Sequence, residues 1–353
     1  LRFPPYERKS CQTSFRGANF VTSTPRIPVS IITGFLGSGK TTLLNHLVKQ
    51  PGMADTAVIV NEFGEIGIDH LLIEQAFEDT VLLQNGCICC SIRGDLVDTL
   101  ESLDAQVARG EIPAFARAIV ETTGLADPAP VLQTLMTDAR LHPRYALDGI
   151  VATVDAVNGA GQLDDFPESV KQAAIADHIF ITKGDLAGQH TTDDLTLRLR
   201  ALNPGAPITP VDHGRADPDS LFGKGPLDDL SRLAGHITHH HEHGRDHRHD
   251  SGITSFAIQR DAPLPWDAVR AWLESVASLR GADLLRMKGI INVAGRAGPV
   301  IVHGVQHVFH PPVELPEWPD ADRTTRIVFI TRNIDKSGLE NALGVFIDRE
   351  QAA

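Results

Sequence analysis

Between Pro28 and about Val211, short apolar and β-branched runs alternate with stretches whose apolar positions recur at helical spacing. The runs Val29–Thr33, Ala57–Asn61, Thr80–Gln84, Ala118–Glu121, Gly149–Val154 and His178–Thr182 lack the in-out alternation of a half-solvated strand and predict strands covered on both faces. Helical periodicity over Thr41–Val48, Leu96–Val107 and Asp193–Ala201 supplies the covering layers. Repeats of this kind give an α/β domain with a mostly parallel sheet, taken as residues 27–234. Residues 235–252 break the pattern: histidines at 236, 239, 240, 241, 243, 247 and 249 stand among charged residues with almost nothing apolar, and read as a solvated His-rich linker.

Beyond it, Ile253–Arg260 alternates as a strand, Trp266–Leu279 is amphipathic, and Asp283–Val293, Pro299–His310 and Arg323–Thr331 predict further strands. This is a small C-terminal α+β domain, 253–335, followed by a helix from Lys336 to Phe346 within a tail, 336–353. Its individual residues suggest no chemistry. Residues 1–26 are rich in Ser and Thr, carry Arg2, Arg8, Lys9, Arg16 and Arg26 against Glu7, and lack an apolar centre; they read as a disordered leader rather than a secretory signal.

Composition narrows the classes. A net charge of −13 argues against non-specific nucleic-acid binding, and no apolar stretch approaches the ~20 residues that span a bilayer; a cytoplasmic protein with neither nucleic-acid nor membrane partners is expected. Of 4 cysteines, three fall at Cys87, Cys89 and Cys90, which is metal-ligand clustering rather than a disulfide framework.

Gly34-Phe-Leu-Gly37-Ser38-Gly39-Lys40-Thr41 fulfils the P-loop pattern directly after a strand and before a helix. Gly34, Gly37, Ser38, Gly39, Lys40, Thr41 and Thr42 form the expected cradle, with backbone N–H groups and the helix N-terminus on the phosphates, Lys40 bridging β- and γ-phosphates and Thr41 on Mg²⁺. Glu121 ends a strand where it can hold a Mg²⁺-bound water, and Gly124 can offer its N–H to the γ-phosphate. Lys40, Thr41, Glu121 and Gly124 are the expected catalytic set. Thr182-Lys183-Gly-Asp185 is a variant of the guanine-reading N-K-x-D: Asp185 can accept both guanine N–H groups, Lys183 can lie over the purine, and Thr182 shortens the group that braces the loop. GTP and GDP are therefore the expected nucleotides.

Asn61–Asp69, with Glu62, Glu65 and two glycines, has the make-up of a switch loop ordered by Mg²⁺ and the γ-phosphate. Cys87, Cys89 and Cys90 are expected in a loop before a helix beginning at Ser91, whose N-terminus would favour thiolates. Three thiolates suit Zn²⁺ or Cu⁺ and leave a fourth position for Glu62, Glu65 or a histidine.

Together, G-F-L-G-S-G-K-T-T, V-N-E-F-G-E-I-G-I-D, N-G-C-I-C-C-S-I-R-G-D-L, E-T-T-G-L-A-D-P and T-K-G-D-L resemble the CobW family of P-loop GTPases, from about Pro28 to Thr331. The resemblance implies a SIMIBI-class G domain, slow Mg²⁺-dependent GTP hydrolysis, and Zn²⁺ or a similar ion, Co²⁺ being the alternative, on Cys87, Cys89 and Cys90. It further implies a metallochaperone serving an apo-metalloprotein client through the C-terminal domain, with nucleotide- or metal-dependent dimerisation. A zinc buffer or sensor, and a cobalt-insertion GTPase of cobalamin synthesis, are the alternatives.

Overall fold

The computed structural model describes residues 26–60, 81–82, 88–91, 95–218, 221–222 and 252–352. Residues 1–25 of the leader, the Asn61–Asp69 segment with Glu62 and Glu65, Cys87 and residues 235–251 of the His-rich linker lie outside them.

The first sheet contains β1 (Ile27–Gly34), β2 (Thr56–Val60), β3 (Val81–Leu82), β4 (Ile88–Ser91), β5 (Arg117–Glu121), β6 (Tyr145–Asp155), β7 (His178–Thr182) and β8 (Ile208–Pro210). Their order is β3-β4-β2-β5-β1-β6-β7-β8, with every pairing parallel except that of the edge strand β3 with β4. Successive residues feed opposite cores, as the pleat requires. Ile31, Ile59, Val120, Ala152 and Ile181 pack with Leu100 of α2 (Leu96–Ala108), Leu132 of α3 (Ala129–Thr137) and, beyond α4 (Gly159–Asp165), with Val170 of α5 (Pro167–Ile175). The short α6 (Gly184–Ala187) then leads into α7 (Gln189–Leu202), whose Leu195 joins the same core. Ile32, Val58, Ile119, Val151 and Phe180 face Leu43, Leu44 and Leu47 of α1 (Lys40–Leu47). Each such Val, Leu, Ile or Phe side chain contributes roughly 1.5–3 kcal/mol on burial.

The second sheet is antiparallel. β9 (Ile253–Arg260), β10 (Leu284–Ile291), β11 (Val300–Val305), β12 (Val308–Phe309) and β14 (Thr325–Arg332) follow the order β12-β11-β10-β14-β9, and β13 (Val313–Glu314) pairs with β11. Between β9 and β10 runs α8 (Trp266–Arg280), and α9 (Lys336–Gln351) closes the chain; both bury Trp272, Leu273 and Leu343 against Met287 and Phe329. Asp335 caps α9 by accepting from Gly338 N at 2.6 Å.

Two expectations need correction. The single strand over Pro299–His310 is a hairpin: the chain reverses at Gln306, φ 52°, and the Phe309 ring lies over Gly304, where a β-carbon would stand 2.9 Å from Cδ1. The sequence carries no Asn-Gly signal at this turn. The cysteine segment is also not a loop leading into a helix at Ser91. Cys89 and Cys90 occupy successive positions of β4, and α2 starts at Leu96 with Asp95 as its cap, accepting from Val97 N at 3.2 Å.

The sheets share a core, since Ile253, Leu285, Val305 and Ile330 of the second join the apolar cluster of the first. Beside them Asp177, just before β7, meets Arg286 and Lys288 of β10, the latter at 2.8 Å; all three side chains are buried. Among the described residues no helix is long and apolar enough to cross a membrane.

Candidate nucleotide site

Three loops that follow parallel strands meet at the carboxyl ends of the first sheet's strands, the position where open α/β sheets bind ligands. The first is the P-loop. Gly34 has φ 145°, and a β-carbon there would lie 2.3 Å from Thr153 Oγ1, so glycine is required where β1 turns beside β6. Ser38 Oγ and Thr153 Oγ1, 2.7 Å apart, fasten the loop to β6. Lys40 is buried and its ammonium donates to Gly34 O at 2.7 Å and Phe35 O at 3.2 Å, so the loop folds around its own lysine. Burial pushes the Lys40 ammonium below its ordinary value, and nearby Glu121 partly offsets this.

The second loop follows β5. Glu121 is buried, and Thr41 Oγ1 donates to its Oε1 at 3.4 Å. Gly124 rests on the P-loop: a β-carbon there would lie 2.6 Å from Leu36 N. Thr122 ties the loop back to β1 through Thr33 Oγ1 at 2.9 Å.

The third loop follows β7. Thr182 Oγ1 donates to Ser38 O at 2.7 Å, so the shorter hydroxyl braces this loop against the P-loop. Lys183 adopts φ 57°, a strained conformation for a residue with a β-carbon, and its Nζ donates to Gly37 O at 2.7 Å and Asp155 Oδ2 at 2.8 Å. Burial opposes ionisation of Asp155, but hydrogen bonds from Lys183, Asn158 and Val157 outweigh it and hold the carboxyl below its usual range. Asp185, in α6, presents a partly exposed carboxylate with His213 Nε2 at 4.0 Å.

The structure thus brings together Gly34, Gly37, Ser38, Gly39, Lys40, Thr41, Glu121, Gly124, Thr182 and Lys183, with Thr42 following on α1 and Asp185 at the rim. Sequence reading missed Asp155 and Thr153. Each comes from β6 and acts on a loop remote in sequence, and only the pairing of β6 with β1 and β7 reveals it. Of the metal motif, Cys89 pairs with Val58 and Cys90 with Ile59 of β2, while β2 pairs on its other side with β5 up to Val60 and Glu121.

Residues 28–210 match the model of the CobW/HypB/UreG nucleotide-binding domain, and 253–347 match that of the cobalamin synthesis protein cobW C-terminal domain. The chain belongs to the CobW family of P-loop GTPases. Among CobW-family relatives it is 36% identical over 304 residues to the zinc chaperone YjiA of Escherichia coli, spanning 86% of this chain and 93% of that protein. It is 30% identical over 351 residues to the zinc chaperone CobW of Pseudomonas aeruginosa, spanning 90% and 91%. The crystal structure of the Zn(II)-bound YjiA GTPase from E. coli superposes with a TM-score of 0.74 at 32% identity, covering 92% of this chain and 99% of that one.

Proposed function

We propose that this protein is a cytoplasmic GTP-dependent metallochaperone. It carries Zn²⁺, rather than Co²⁺, on Cys87, Cys89 and Cys90 with Glu62 or Glu65, and hydrolyses GTP to GDP and phosphate to drive transfer of the ion to an apo-metalloprotein client. The likeness to zinc chaperones over most of the chain supports the cargo. The observation that carries the coupling is the register of β2. Val58 pairs with both Cys89 and Ile119, Ile59 with both Cys90 and Val120, and Val60 with both Ser91 and Glu121. One strand, some ~5 Å from each neighbour, separates the strand of the metal motif from the strand that ends in Glu121.

The residues at the phosphate edge fit the chemistry. The Thr41 hydroxyl and the Glu121 carboxylate are hard oxygen donors converging at one point. Thr41 directly, and Glu121 through water, would hold Mg²⁺, which neutralises charge on the phosphate oxygens. Lys40 gives up its two carbonyl acceptors to bridge β- and γ-phosphates, Gly124 N–H faces the γ-phosphate, and Asp185 accepts from guanine. Lys183, tied down at its tip, lays its stem along the purine. The exposed apolar side chains of Leu36, Leu125, Val157 and Phe166 around this edge suit a nucleotide-dependent contact with a second copy.

The test is linkage. Zn²⁺ affinity measured by competition in the nucleotide-free, GDP and non-hydrolysable GTP forms should differ by about tenfold between nucleotide states. It should be lost when Cys87, Cys89 and Cys90 are replaced by Ser. Equal affinity in all three forms would sink the coupling.

A further inference from the structure

Helix α5 grips the γ-phosphate loop at one point and the C-terminal domain at another. Gln172 is 1% exposed, and its Nε2 donates to both Gly124 O and Ala126 O at 3.1 Å. Its neighbour Lys171 binds the Asp127 carboxylate at 2.9 Å. The loop that rests on the P-loop at Gly124 is therefore held by side chains of α5. Among the described residues Gln172 Oε1 meets no hydrogen-bond partner. Burying an amide with its oxygen unmatched is unfavourable, and a leucine or methionine would fill the space without that penalty. The two donor hydrogens account for the choice of glutamine.

One turn further on, the carbonyls that any helix end leaves open are taken by side chains. Asn203 Nδ2 donates to Ala173 O, Ala174 O and Ala176 O at 2.9, 3.1 and 2.9 Å. The Ile175 carbonyl accepts from the Arg286 guanidinium of β10, the same group that binds Asp177. A buried cation at this end also suits the helix dipole. From Gln172 to Ile175 is about 4.5 Å of helix axis, so a shift of β10 reaches the Gly124 loop through a single turn.

We propose that Gln172 is a positioning residue for γ-phosphate recognition, and that α5 makes its hold on the Gly124 loop depend on how the C-terminal domain is seated. This deepens the nucleotide reading above and rests on it. A partner that shifts β10 changes the response to GTP and leaves that to GDP, which has no γ-phosphate to meet Gly124.

The experiment compares GDP affinity, affinity for a non-hydrolysable GTP analogue, and turnover in the full chain carrying Gln172→Leu, Arg286→Lys or both. Gln172→Leu keeps the bulk and removes both donors. It should weaken the analogue about tenfold and slow turnover by about 10- to 100-fold, while GDP affinity stays within about twofold. Arg286→Lys keeps a charge for Asp177 but loses the planar fork that spans Ile175 O and Asp177. It should give a smaller loss with the same GTP selectivity, and the double variant should stay within about twofold of Gln172→Leu, because the two residues act in series. Circular dichroism and thermal unfolding report that each variant is folded, and Gln172→Met takes the place of the leucine variant if that control fails. Equal losses for GDP and the analogue, unchanged turnover in Gln172→Leu, or an Arg286→Lys protein identical to the parent would overturn the proposal. A parent protein without GTP hydrolysis would instead overturn the nucleotide reading itself.

Discussion

A β-carbon on Gly124 would approach Leu36 N to 2.6 Å and its Cα to 2.7 Å, both of them backbone atoms of the P-loop. Gly124→Ala must push one loop away from the other, because neither is the free end of a flexible side chain. With Gly124 N–H as the proposed γ-phosphate donor, displacing it by a few tenths of an ångström to an ångström should cost up to ~10²-fold in GTP turnover, with GDP affinity nearly unchanged, as single-turnover kinetics and GDP titration would register. The motif that fixes Lys40 and Thr41 is contiguous, so its chemistry is readable from the sequence. Asp155 and Gln172 are not readable in that way: each acts on a loop 28 to 48 residues away, through contacts that exist only once β6, β7 and α5 are assembled.

At the level of elements, β10 shows how an interface passes for a solvated face. Arg286 and Lys288 alternate with Leu285 and Met287, which reads as a half-exposed strand, yet both cations are buried against Asp177. The hairpin of β11 and β12 adds His303 and His310, stacked with centroids 4.5 Å apart and planes 9° from parallel. Burial, then Arg286, His310 and Lys288, push the His303 imidazolium well below its ordinary range. Burial also brings His310 down to about 4; Arg286, Arg26 and Lys288 add to this and Asp177 opposes it. Both rings stay neutral in the folded protein at a pH where the unfolded chain takes up a proton on each. The unfolded state thus binds more protons below its own histidine pKa, near 6.5, and stability falls as pH drops from there towards 4, by about 1.4 kcal/mol per pH unit for each ring. Denaturant midpoints measured from pH 7 to 4.5 should trace that decline, and His310→Gln should flatten it by one proton's share. Strand and helix positions were legible here because periodicity is a local property. The split at Gln306 was not, since only the packing of Phe309 over Gly304 declares it.

Across the whole molecule, the second sheet keeps a core of its own on the face under Trp272 and Leu343 and shares the cluster of the first sheet on the other. Ile253, Leu285, Val305 and Ile330 pack with residues such as Ile181 and Leu195 in one cluster, so calorimetric and fluorescence unfolding of the full chain should coincide in a single transition. Leu285→Asp should separate it into two, by placing an unpaired charge in the shared layer at a cost of several kcal/mol. The change of architecture from parallel to antiparallel was readable from the order of elements, whereas the seam was not, because no sequence pattern marks an apolar strand residue as belonging to the other domain. The seam lies where the strands of the first sheet begin: Asp177 precedes β7, and Arg26, just ahead of β1, is close enough to act on His310. The nucleotide loops leave the opposite ends. Asp177 therefore has a meaning for descent as well as for stability. A lineage that discarded its second domain would lose Arg286 and Lys288 with β10 and open Asp177 to water, so the position would no longer be held to an acid. Where the two domains stay together, the buried cations of β10 are what require the acid.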